Sequence, residues 1–119
     1  MHWESRATVQ VTCHDRVFEI TVSGEIDYDE NDLLQAAWAE ADDAGRPVTV
    51  VDLSRVTFAD SGLLNALLDA WRQHQAAARE LILLGPLHPT VDRLFSLTGT
   101  REHFTITNSR SRAMRANDI

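Results

Sequence analysis

The stretch VTVVDLSRVTFADSGLLNALLDAW, residues 48–71, carries two periodicities in succession. Its first part, Val48 to Leu53, is short, β-branched and almost continuously apolar, the pattern of an interior strand covered on both faces. Its last part places Leu63, Leu64, Leu67, Leu68 and Trp71 on one helical face, with Asp69, Arg72 and Gln73 opposite. Between them Ser54 to Ala59 reads as a loop, and Asp60 or Ser61 as the N-cap of the helix. A second apolar run, Leu81 to Leu84, ends at Gly85-Pro86 and completes a βαβ unit around the crossover helix.

Working outward, Ala7 to Val11 and Val17 to Val22 alternate apolar and polar residues, the period of half-buried strands. The short polar turn Cys13-His14-Asp15-Arg16 lets them pair as an antiparallel hairpin. After Gly24-Glu25-Ile26-Asp27, the residues Leu33, Leu34, Ala37, Trp38 and Ala41 form one stripe of a helix that Gly45 and Pro47 stop. Asp27, Asp29 and Glu30 stand at its front, where negative charge suits the helix dipole. A third helix follows Pro89, with Val91, Leu94, Phe95 and Thr98 on one face and Gly99 at its end. Phe104 to Thr107 then gives a brief strand, and Ser109 to Ala116 a final short helix. The resulting order, ββαβαβαβ(α), predicts an α/β fold with a mixed sheet of four to five strands and about four helices.

A chain of 119 residues with 44% hydrophobic and 24% charged content suits one cored domain. We read residues 1–6 as an N-terminal arm, 7–116 as the domain and 117–119 as a tail. A net charge of -7 argues against nucleic acid and anionic membrane as partners, which both require a basic footprint. Cys13 is the only cysteine, so no intrachain disulfide framework exists and a reducing cytoplasm fits best. No stretch reaches the length of an apolar membrane span, and the opening MHWESRATVQ is not patterned as a secretory signal.

The motifs of common catalysis are absent: there is no G-x-G-x-x-G, Walker loop, H-E-x-x-H or G-x-S-x-G. His2, His14, His74, His88 and His103 fall at no metal-ligand spacing and read as scattered surface residues. Asp27 and Asp60 could hold Mg²⁺ near a strand edge, but two carboxylates serve an acidic docking surface equally well. We therefore expect no enzyme, no cofactor and no metal. Arg110, Arg112 and Arg115 read as a solvated helix face, and Trp38 and Trp71 as core; Trp3 lies in the polar arm.

Asp60-Ser61-Gly62 remains, at the start of the most amphipathic helix and beside the carboxyl end of a buried strand, where ligands and modifications collect. The segment from Val48 to Trp71 resembles the central strand, loop and helix of bacterial anti-sigma factor antagonists of the STAS domain family. Three further pieces resemble that family in order and spacing: Gly24-Glu25-Ile26-Asp27, Leu97-Thr98-Gly99, and Phe104 through Met114. The resemblance covers residues 7 to 116.

It implies a module that binds an anti-sigma factor of serine-kinase type, frees a sigma factor, and is released when phosphorylated. The implied contact surface comprises Asp27, Ser54, Asp60, Ser61, Gly62, Leu63 and Asn65, on a monomer or weak dimer. Counted without gaps, Ser61 falls on the family's first serine, while Gly62 falls on the second, the usual phosphoacceptor. Two arrangements fit. Ser61 accepts phosphate one position early, or the protein binds its partner without this control. The second is favoured because one helical position turns a hydroxyl by about 100°. A scaffold or adaptor role in a larger signalling assembly is the alternative, for which Gly62 is no obstacle.

Overall fold

Every residue from Val48 to Leu53 is buried, and the side chains divide by parity. Val51 and Leu53 join the larger apolar cluster, while Val48 and Val50 join a smaller one on the opposite side of the sheet. The strand they belong to, β3 (Val48–Ala59), lies between β2 (Val17–Ile26) and β4 (Glu80–Leu84), parallel to both. β1 (Thr8–Cys13) pairs antiparallel with β2, and β5 (Thr105–Thr107) pairs parallel with β4. This architecture comes from a computed structural model, which describes residues 7–115; Trp3 and the rest of the arm and tail lie outside them. The helices are α1 (Asn31–Ala44), α2 (Ser61–Ala76), α3 (Pro89–Thr98) and α4 (Arg110–Met114). The mixed α/β sheet and the element order are those read from the sequence.

The spatial order of the strands is their chain order, β1-β2-β3-β4-β5. Right-handed crossovers that always advance in one direction put every crossover helix on the same face. Accordingly Trp38 of α1, Leu67 of α2 and Phe95 of α3 share one core with Ile20, Val51 and Leu83. Among the described residues the other face is covered by α4, whose buried Ala113 and half-buried Met114 pack on Val17, Val48, Val50, Ile82 and Leu84. The main layer is tied at its centre by the Trp38 indole N–H, which donates to the Ala66 carbonyl of α2 at 2.9 Å. Trp71 is half-buried at its margin, edge-on to His103 with ring centroids 5.5 Å apart.

Three sequence expectations require correction. Ser54 to Ala59 is not a loop but the second half of β3. Register shifts against β2, between Thr21 and Ser23 and again between Gly24 and Glu25, insert extra residues into β3. These bulges break the period-2 signal, so that the buried residues become Leu53, Val56 and Ala59, spaced by three. The Asp52 carboxylate holds the first bulge, accepting from the Ser54 amide at 2.9 Å and the Ser54 hydroxyl at 2.7 Å.

Second, His74 is a core residue, only 1% exposed. Its Nδ1 lies 2.7 Å from the Ala70 carbonyl, so Nδ1–H donates there and Nε2 accepts from the Thr49 hydroxyl at 2.7 Å. A neutral ring satisfies both partners. Third, Arg110 does not lie on a purely solvated face: its guanidinium forks onto both oxygens of Glu19, with Nη2 2.9 Å from Oε1. Glu19, 6% exposed among aliphatic neighbours on the α4 face, also receives His14 Nε2 at 2.9 Å. Arg112 and Arg115 are exposed, as expected.

Two tests follow. Arg110→Ala strands a nearly buried carboxylate with one remaining side-chain partner and should lower stability by about 1–3 kcal/mol, read as a fall in the urea midpoint. Adding Glu19→Gln in the same chain should recover part of that loss.

The acid limb of stability should have two stages. Burial holds His74 below its ordinary value of 6.5, and the Arg110 hydrogen bond holds Glu19 below its ordinary 4.5. In both cases the unfolded chain takes up the proton first, so stability falls as pH drops, from about 6.5 for His74 and from about 4.5 for Glu19. Urea titrations across pH should show His74→Gln flattening the upper stage and Glu19→Gln the lower. Unchanged slopes in either variant would refute its assignment.

Candidate functional site

Three chain segments meet where β2 and β3 end. β2 finishes at Ile26 and passes through Asp27 into a 3-10 turn, Tyr28–Glu30, that leads into α1. β3 finishes at Ala59 and passes through Asp60 directly into α2. A hydrogen bond from the Asp60 amide to the Ile26 carbonyl, 3.2 Å, prolongs the strand pairing to the last residue before both turns.

Asp60 fastens the two turns together. It has the extended backbone of an N-cap, and its Oδ1 accepts from the Gly62 amide at 2.7 Å. Oδ2 accepts from the amide of Tyr28 at 3.3 Å, across the gap to the other segment. Asp27 performs the same capping service on its own turn, accepting from the Asp29 amide at 2.9 Å. Each of these carboxylates is thus already engaged with main-chain N–H groups, and among the described residues no group of three or more His, Cys, Asp or Glu is arranged to hold a metal ion.

Gly62 is where the two turns touch. A Cβ built on it would lie 2.5 Å from the Tyr28 Cα, 2.7 Å from the Tyr28 Cβ and 2.8 Å from Asp60 Oδ1. Real side chains do not approach backbone that closely, so any residue other than glycine forces the 3-10 turn away from α2. No left-handed conformation is involved. The requirement is close approach.

The other site residues inferred from the sequence separate into exposed and buried. Ser61, the first residue of α2, is exposed, as is Asn65 one turn later; Asp27, Asp60 and Gly62 are half-exposed. Ser54 is exposed, although its hydroxyl is spent on Asp52. Leu63 must be removed from the surface: it is fully buried in the larger core, because the third residue after the Asp60 cap, directly after Gly62, already turns toward the sheet.

Sequence reasoning overlooked two exposed aromatics at this end and put Leu33 on the apolar stripe of α1, where the structure leaves it exposed. Tyr28 is 72% exposed, Phe58 46% and Leu33 42%. Tyr28 had a signal, a lone aromatic inside the acidic run Asp27-Tyr28-Asp29-Glu30, with no place on the helical stripe. Phe58 was hidden by the supposed loop. Glu25, Asp27, Asp29, Glu30, Asp32 and Asp60 all fall on the same segments, which makes this end acidic in sequence.

Comparison with known proteins bears on the fold that carries this site. The family model described as Mlab, STAS domain matches residues 9–107. No curated protein sequence matches the chain. Among solved structures, an anti-sigma factor antagonist from Mycobacterium paratuberculosis is similar at 29% identity and a TM-score of 0.78, covering 92% of each chain. The Bacillus cell fate determinant SpoIIAA in its phosphorylated form is similar at 24% identity and a TM-score of 0.67, over 90% of this chain and 96% of that one. An anti-sigma-factor antagonist (STAS) domain protein from Planctomyces limnophilus shares 19% identity with a TM-score of 0.75, over 91% and 96%. The last two establish likeness of fold alone. With the family model spanning most of the described residues and a five-stranded mixed sheet built in the same order, the chain belongs to the STAS domain family.

Proposed function

We propose that this chain is an anti-sigma factor antagonist that binds its anti-sigma factor constitutively, through the rim where the 27–30 turn meets the start of α2, and so frees a sigma factor for transcription. It works in the cytoplasm by binding alone and catalyses no reaction. The likeness to a mycobacterial anti-sigma factor antagonist supports the partner class. The rim itself supports the mode: two capped turns, locked to each other, present Asp27, Ser61, Asn65 and an exposed aromatic on rigid elements.

The single observation that carries the constitutive form is the contact at Gly62. The position on which the family's acceptor serine falls has no hydroxyl, and the Tyr28 backbone fills the space a side chain would need. Ser61 is exposed but projects from α2 about 100° away around the helix axis. A phosphoserine works by bringing about -1.5 to -2 charges into an interface. Without an acceptor at the centre of the rim, that repulsion is not available.

The test is incubation with each purified anti-sigma kinase of the host and ATP, followed by intact mass and a binding measurement. The expected result is a stable complex at unchanged mass. A gain of one phosphate that disappears in Ser61→Ala, with loss of binding, would overturn the constitutive reading and install Ser61 as the switch.

A further inference from the structure

Tyr28 is 72% exposed, yet its main chain is held at two points. Its amide is bonded to Asp60, and its Cα packs against the Gly62 backbone. Large apolar side chains left in water contribute nothing to folding, and a fixed backbone beneath one removes much of the ordering cost that binding would otherwise incur. Phe58 and Leu33 add apolar surface on the segments that flank it. The aromatic is bordered in sequence by Asp27 and Asp29, with Glu30 and Asp32 following and Asp60 across the turn.

We infer that Tyr28, seated on Gly62, is the anchor through which this chain grips its partner, and that the partner offers an apolar socket rimmed by arginine or lysine. The inference rests on the anti-sigma factor reading and adds the chemistry of the contact. The occupant follows from charge. A second copy of this chain would bring a net charge of -7 and the same acidic border against its own image. Nucleic acid and anionic lipid are repelled for the same reason. A basic-rimmed protein socket meets both the ring and the carboxylates around it. Glycine at 62 is then a positioning requirement, since a side chain there displaces the turn that carries the ring.

The closing experiment measures the affinity of the full chain for each purified host anti-sigma factor by calorimetry, at low and high sodium chloride, with thermal midpoints recorded in parallel. Tyr28→Ala should weaken binding about tenfold to a hundredfold while leaving the midpoint unchanged, and Tyr28→Phe should stay within about threefold of the parent. Gly62→Ala should weaken the same binding while leaving Tyr28 in the chain, and affinity should fall as salt rises. If the parent binds and Tyr28→Ala binds equally well, the anchor is wrong and the antagonist reading stands. If affinity is indifferent to salt, the basic socket is wrong. If the parent binds no anti-sigma factor, both readings fall together.

Discussion

The burial of Val48–Leu53 on both faces is the constraint from which the rest of the molecule follows. A strand shielded on two sides must find all its hydrogen bonds in neighbouring strands and all its side-chain contacts in covering layers. β2 and β4 supply the first, in parallel, and parallel pairing demands long crossovers. Those crossovers are α1 and α2, and their direction brings Asp27 and Asp60 to one end of the sheet. The site is therefore a by-product of strand direction before it is a matter of side-chain chemistry.

At that end a single carboxylate does the joining. Asp60 has two oxygens and serves two amides on different segments, Gly62 and Tyr28. Neither turn is long enough to build a surface alone. Held against each other they form one, and the closeness of the fit explains why the smallest residue stands at position 62. The same economy appears on the far face, where the Glu19 carboxylate gathers His14 and Arg110. In both places one acidic group substitutes for the apolar packing that short elements cannot supply.

Much of this was legible in the sequence. The helical stripes of α1 and α2, the apolar runs of β3 and β4 and the Asp60 cap follow local rules of period and capping, and the architecture agrees with them. What was hidden shares one property, dependence on partners distant in the chain. The second half of β3 reads as a loop because its extra residues make sense only against β2. His74 looks like a polar face residue until Thr49 is brought to its ring. Arg110 looks solvated until Glu19 is known to lie beneath it. Leu63 leaves the implied contact surface and Tyr28, which no sequence reading placed, lies exposed, because a leucine beside a helix start and a tyrosine among acids do not announce which way the backbone turns.

The chain-ordered sheet also has a temporal side. Each strand can dock beside the one made just before it, so the sheet grows at one edge as the polypeptide leaves the ribosome. The exception is the face that α4 closes. Glu19 waits for Arg110 across 91 residues, which at roughly 5–20 residues per second is a delay of about 5–20 s. Until α4 is made, Val17, Val48, Val50, Ile82 and Leu84 are each uncovered from the moment they appear, a growing aliphatic strip that chaperones would meet before the last helix does.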